Sequence, residues 1–107
     1  MDIKAMQQAV DDWISQFEEG YWQPPNMVLR LTEEVGEVAR EVNHLYGQKP
    51  KKASEPDGDL AMEIGDVLFV ITCLANSLNI DLETAFKQVM HKYRERDSNR
   101  WTRKQID

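Results

Sequence analysis

Residues 60–80 read LAMEIGDVLFVITCLANSLNI, and the spacing within them decides the fold. Leu60, Ile64, Val67, Ile71, Leu74 and Leu78 recur at steps of three and four, the apolar stripe of an amphipathic helix. No residue from Val67 to Ile80 is charged, so this helix is predicted to be buried on most of its circumference. Its start falls near Ser54 to Asp57, with Ser54 or Asp57 as cap and Pro56 in the first turn. Upstream, Val28, Leu31, Val35, Val38, Val42 and Leu45 repeat the same steps on a second helix, closed by Gly47. Asn26 fits its N-cap, and Gln23-Pro24-Pro25 reads as an extended connector before it. Ile3, Met6, Val10, Trp13, Ile14 and Phe17 predict another helix from about Asp2 to Glu18, ended by Gly20. Downstream, Asn79-Ile80-Asp81 makes a short turn with Asp81 as N-cap. Leu82, Phe86, Val89, Met90 and Tyr93 then carry a last helix to about Asp97.

Strand-like alternation and internal repeats are absent, so the expected fold is an all-α four-helix bundle over residues 1–97. Residues 98–107 form a polar, basic tail apart from Trp101 and Ile106. A chain of 107 residues fits one domain with a modest core. With a third helix more apolar than one partner stripe requires, self-association is expected, the second and third helices nearest the interface.

Thirteen Lys and Arg stand against 19 Asp and Glu, a formal charge of −6, which argues against coating a DNA or RNA polymer. A single cysteine makes no internal disulfide, and no Cys/His cluster has zinc spacing. The amino terminus lacks a signal-peptide pattern and no stretch reaches about 18 apolar residues, so a cytoplasmic protein without a membrane span is expected. The charge is uneven. Nine carboxylates lie between Glu33 and Asp66, and seven basic residues between Lys87 and Lys104.

Residues three apart on a helix lie on neighbouring faces one turn apart. Glu34 and Glu37 can therefore converge on one ion, as can Glu63 and Asp66, each pair flanking a seam residue, Val35 or Ile64. Gly36 and Gly65 sit inside the two pairs, at a cost of roughly 1 kcal/mol in a helix interior. They would let the backbones approach or leave room for ligand and water. Asp66 opens the charge-free stretch with no Lys or Arg within four residues, so a cation from solvent is its simplest partner, a distant arginine or a helix-end position being the alternatives. All-oxygen ligands favour Mg²⁺, with Mn²⁺ as substitute, over zinc. Glu41-Val42-Asn43-His44 is the one Glu-x-x-His motif, which disfavours a di-iron redox bundle. His44 lines the same pocket or is a surface histidine.

The E-E-x-x-E of Glu33, Glu34 and Glu37, the E-x-x-D of Glu63 and Asp66, and the basic fourth helix resemble the MazG-like nucleoside triphosphate pyrophosphohydrolases. These all-α enzymes share a superfamily with dimeric dUTPases and dCTP pyrophosphatases; without the extra helices of those dUTPases, this chain is expected to borrow pocket wall as a dimer or dimer of dimers. The resemblance runs from about Trp22 to Arg96, and Trp22-Gln23-Pro24-Pro25-Asn26 is similar to the family's lead-in. It implies Glu34, Glu37, Glu63 and Asp66 as Mg²⁺ ligands. Glu33 would orient or deprotonate the attacking water, and Glu34 joins it as a catalytic residue. Lys92 and Arg96 resemble the residues that hold the triphosphate, or are a solvated helix end. Trp22 would stack on the base, or anchor the Pro-Pro turn, and Asn26 stands with Trp22 among substrate-binding positions. The implied reaction cleaves an NTP or dNTP between the α- and β-phosphates to a monophosphate and pyrophosphate. The alternative is a catalytically silent bundle that binds a nucleotide or a partner protein.

Overall fold

The computed structural model describes residues 1–55 and 58–105, and the described residues contain four helices and no strand. They are α1 (Ile3–Ile14), α2 (Pro24–Tyr46), α3 (Leu60–Ser77) and α4 (Leu82–Asp97). The Asp2 carboxylate caps α1 by accepting from the Ala5 N–H, and Asp81 caps α4 by accepting from Glu83.

Three boundaries differ from the sequence expectation. Helix α1 stops at Ile14, not Glu18, and turns carry the chain through Phe17 to Gly20, whose φ of 60° suits glycine. Helix α2 starts at Pro24 with Gln23 as N-cap, so Asn26 lies inside it and the prolines are its first residues, not a connector. Proline has no N–H, and the first helical N–H has no intrahelical acceptor anyway. Helix α3 is capped by Asp59, which accepts from the Met62 N–H, and not by Ser54. Pro56 and Asp57, the other proposed starts, lie outside the described residues, as does Ile106 of the tail.

The principal contacts pair α2 with α3, α1 with α3 and α1 with α4. Val10, Met27 and Cys73 form the core where α1, α2 and α3 meet, with Ile14, Tyr21 and Leu74 against it. A polar network ties α1 to the α3–α4 turn. The Gln7 amide donates to Asn76 Oδ1 and to the Ile80 carbonyl, both at 2.9 Å, and accepts from the Leu82 N–H at 3.0 Å. Asn76 Nδ2 donates to the Tyr21 hydroxyl, which donates to Asp11 at 2.8 Å.

Helix α2 is rotated relative to the expected seam. Its sheltered row is Met27, Leu31, Glu34, Val38 and Glu41, while Val28, Val35 and Val42 face outward. Helix α3 shelters Leu60, Glu63, Val67, Val70 and Leu74, and leaves Ile64, Ile71 and Leu78 outside. Burial on most of its circumference is thus not met within one chain. By length and composition alone α3 would pass for a membrane span. It carries Glu63 and Asp66 in its first two turns, however, and packs on α1 and α2.

Candidate active site

The rotation of α2 turns a carboxylate inward. Glu34 is only 7% exposed, and it meets Glu63 and Asp66 of α3 with oxygens all within 4.8 Å of one another. Glu34 also accepts from Arg30 Nε at 2.9 Å, one helical turn before it. Burial holds the Glu63 carboxyl above the usual carboxylate range, helped by the negative charges of Glu37, Asp66, Glu34 and Glu41. Three converging carboxylates, one of them protonated too readily, fit a hard divalent cation with oxygen ligands. The i,i+3 spacing of Glu63 and Asp66 lets both face Glu34, which the rotation of α2 turns inward.

A cavity of about 340 Å³ opens beside the cluster. Glu34, Asp66 and Arg30 form its polar side, and Trp13, Tyr21, Trp22, Met27, Phe69, Val70 and Cys73 much of the rest. Trp13 packs edge-on against Phe17, with ring centres 5.2 Å apart. Burial pushes the Tyr21 hydroxyl up to about 12, reinforced by its bond to Asp11. Burial also raises the Cys73 thiol, which therefore stays a neutral wall group. A second, more open cavity is lined by Trp22, Asn26, Leu29, Arg30 and Glu33. Aromatic faces next to carboxylates that can hold a metal suit a ligand with a flat ring at one end and anionic oxygens at the other.

The residues singled out from sequence divide between these places. Glu34, Glu63 and Asp66 come together, but Asp66 is exposed, not desolvated as its charge-free surroundings suggested. Glu37 is exposed on α2, 3.9 Å from Arg40, and reaches the cluster through its field on Glu63. Trp22 borders both cavities, while Asn26 and Glu33 border the open one. His44 borders neither, and it is no surface histidine. Its side chain is 6% exposed, with Nε2 3.5 Å from Glu55 and Nδ1 without a hydrogen-bond partner among the described residues. Arg40 draws Glu55 onto α2 at 3.2 Å and holds its carboxyl below the usual range. Lys92 and Arg96 border neither cavity, and both lie over the Tyr93 ring on α4.

Gly36 and Gly65 do not serve close backbone approach within one chain, since a Cβ at either would meet nothing within 4 Å among the described residues. Sequence reasoning missed Arg30, although its i,i+4 spacing to Glu34 was a usable signal. It also missed the aromatic wall of Trp13, Tyr21 and Phe69, which only tertiary packing assembles.

Residues 23–101 match the model of the MazG nucleotide pyrophosphohydrolase domain. YpjD of Bacillus subtilis (strain 168) is 61% identical over 103 residues, 96% of this chain and 93% of that protein. The crystal structure of YPJD from Bacillus subtilis superposes with a TM-score of 0.80 at 60% identity, covering 87% of this chain and 95% of that one. That of the Bacillus-conserved MazG protein, a nucleotide pyrophosphohydrolase, gives 0.77 at 54% identity, covering 91% and 94%. A carboxylate cluster on adjacent helices, the four-helix fold and these matches agree: the chain belongs to the MazG nucleotide pyrophosphohydrolase family, hydrolases acting on phosphoric anhydrides.

Proposed function

We propose that this chain is a Mg²⁺-dependent cytoplasmic hydrolase that cleaves an NTP or dNTP between the α- and β-phosphates, releasing a monophosphate and pyrophosphate. The observation that carries the reading is the Glu34–Glu63–Asp66 cluster on the rim of an aromatic cavity. Glu34, Glu63, Asp66 and Glu37 would hold the ion. Bound Mg²⁺, or Mn²⁺ in its place, would neutralise phosphate oxygens and acidify a water. Trp22, which borders both cavities, stacks on the base, with Asn26 beside it. The water oxygen bonds to the α-phosphorus and its proton passes to Glu33. The bridging oxygen leaves with the β-phosphate as pyrophosphate. Glu34, held by Arg30, orients the reacting end. Residues 1–97 make the catalytic domain and 98–107 its tail.

Lys92 and Arg96 complete the phosphate site in a homo-oligomer, where α4 of one copy serves a neighbour's cluster. His44, enclosed under Glu55, shapes the α2–α3 connection and does not touch substrate.

A panel of natural and damaged NTPs and dNTPs with Mg²⁺ tests the reading through its products. Monophosphate and pyrophosphate are expected from at least one of them, and diphosphate with orthophosphate would refute the cleavage position. Asp66→Asn should abolish turnover while circular dichroism stays helical, since Asp66 is exposed and carries no core packing.

A further inference from the structure

Among the described residues, Arg30 is the one basic side chain that lines either of the two cavities beside the carboxylates. Its Nε–H is spent on Glu34 at 2.9 Å. Its side chain is about half exposed, and among the described residues no other hydrogen bond or ion pair engages the guanidinium. Four of its five N–H donors, those on Nη1 and Nη2, are therefore available to a ligand. The bond to Glu34 fixes the planar fork at the junction of the acidic cluster, the aromatic wall and the open cavity. A fork held in that way meets two oxygens of a phosphate without first losing its own rotamer freedom.

Charge demands such a group. Three carboxylates and a triphosphate bring more negative charge to one place than a divalent ion offsets, and Lys92 and Arg96 line neither cavity. We infer that Arg30 binds the β- and γ-phosphates of a nucleoside triphosphate with its Nη atoms while its Nε holds Glu34. This rests on the hydrolase reading above and adds to it a phosphate-binding residue within the motif helix. A lysine, with one compact ammonium, cannot hold both partners in that geometry.

The test uses an α,β-methylene nucleoside triphosphate, which binds but is not cleaved, titrated calorimetrically into the full chain with Mn²⁺. Arg30→Gln should weaken the analogue roughly 10- to 100-fold, the worth of a charge-assisted hydrogen bond. Arg30→Lys should fall between Arg30→Gln and wild type. The corresponding monophosphate should lose far less, and Mn²⁺ alone should bind both variants within about threefold of wild type. Retained Mn²⁺ binding also shows that the variants fold. An analogue affinity unchanged in Arg30→Gln would overturn the assignment. So would an equal loss for Mn²⁺ alone or for the monophosphate, which would make Arg30 only a prop for Glu34. If wild type itself fails to bind the analogue, the hydrolase reading falls and the assignment falls with it.

Discussion

Tyr21 shows how single atoms hold the cavity in shape. Its ring lines the wall while its hydroxyl, donating to Asp11 and accepting from Asn76, links the turn after α1 to α3. The hydroxyl is neutral in the fold and lifted from the ordinary value near 10 to about 12. Between those values the unfolded chain has given up the proton and the folded chain still keeps it. Stability contributed by this group is therefore full below pH 10 and lost as pH rises towards 12. In a spectrophotometric titration, Tyr21→Phe should remove a late-ionising tyrosine. Thermal unfolding of the variant near neutral pH should show a loss of about 1 kcal/mol, because Asn76 and Asp11 lose a half-buried partner. An unchanged melting temperature together with an unchanged alkaline titration would contradict this account.

At the level of elements, helix number and order are legible in the sequence because four apolar stripes are separated by Gly20, Gly47 and the Asn79–Asp81 turn. The rotation of α2 is not. Two three-and-four rows share Leu31 and Val38 on that helix, one adding Val28, Val35 and Val42, the other Met27, Glu34 and Glu41. Hydrophobicity alone favours the valines, whereas the helix shelters the row bearing the carboxylates. The pairing of Glu34 with Glu63 and Asp66 is likewise legible from spacing, but the aromatic wall joins residues 13, 21, 22 and 69, which no local pattern connects. Both glycines inside the carboxylate motifs lie in open space, so only helix propensity acts on them in one chain. Gly36→Ala should therefore raise stability by about 1 kcal/mol in urea unfolding. Gly20→Ala should lower it, because φ there is 60°. Should Gly36→Ala destabilise the protein, that space must be filled by something beyond the single chain.

The whole molecule is too open for its length. A compact chain of this size has a radius of gyration of about 13 Å, whereas this one measures 18.1 Å and extends 55 × 43 × 26 Å. Its buried apolar residues among those described are only Val10, Met27, Val70, Cys73 and Ala75. Meanwhile Val28, Val35, Ile64, Leu68, Phe86 and Tyr93 stay roughly half exposed on α2, α3 and α4. Apolar surface on that scale is costly to leave in water, and a second copy can cover it by a symmetric contact. Such an oligomer would couple folding to assembly, so the melting temperature should rise with protein concentration. Phe86, 56% exposed on α4 and bordering neither cavity, separates assembly from the site itself. Phe86→Arg should shift sedimentation towards the monomer and lower the melting temperature at micromolar concentration. Lys87→Glu, on the next residue of the same helix, should leave sedimentation nearly unchanged. A wild-type chain that sediments as a monomer at every concentration, with a concentration-independent melting temperature, would remove the oligomer. Lys92 and Arg96 would then lose their route to the phosphates, and Arg30 would carry that task within a single chain.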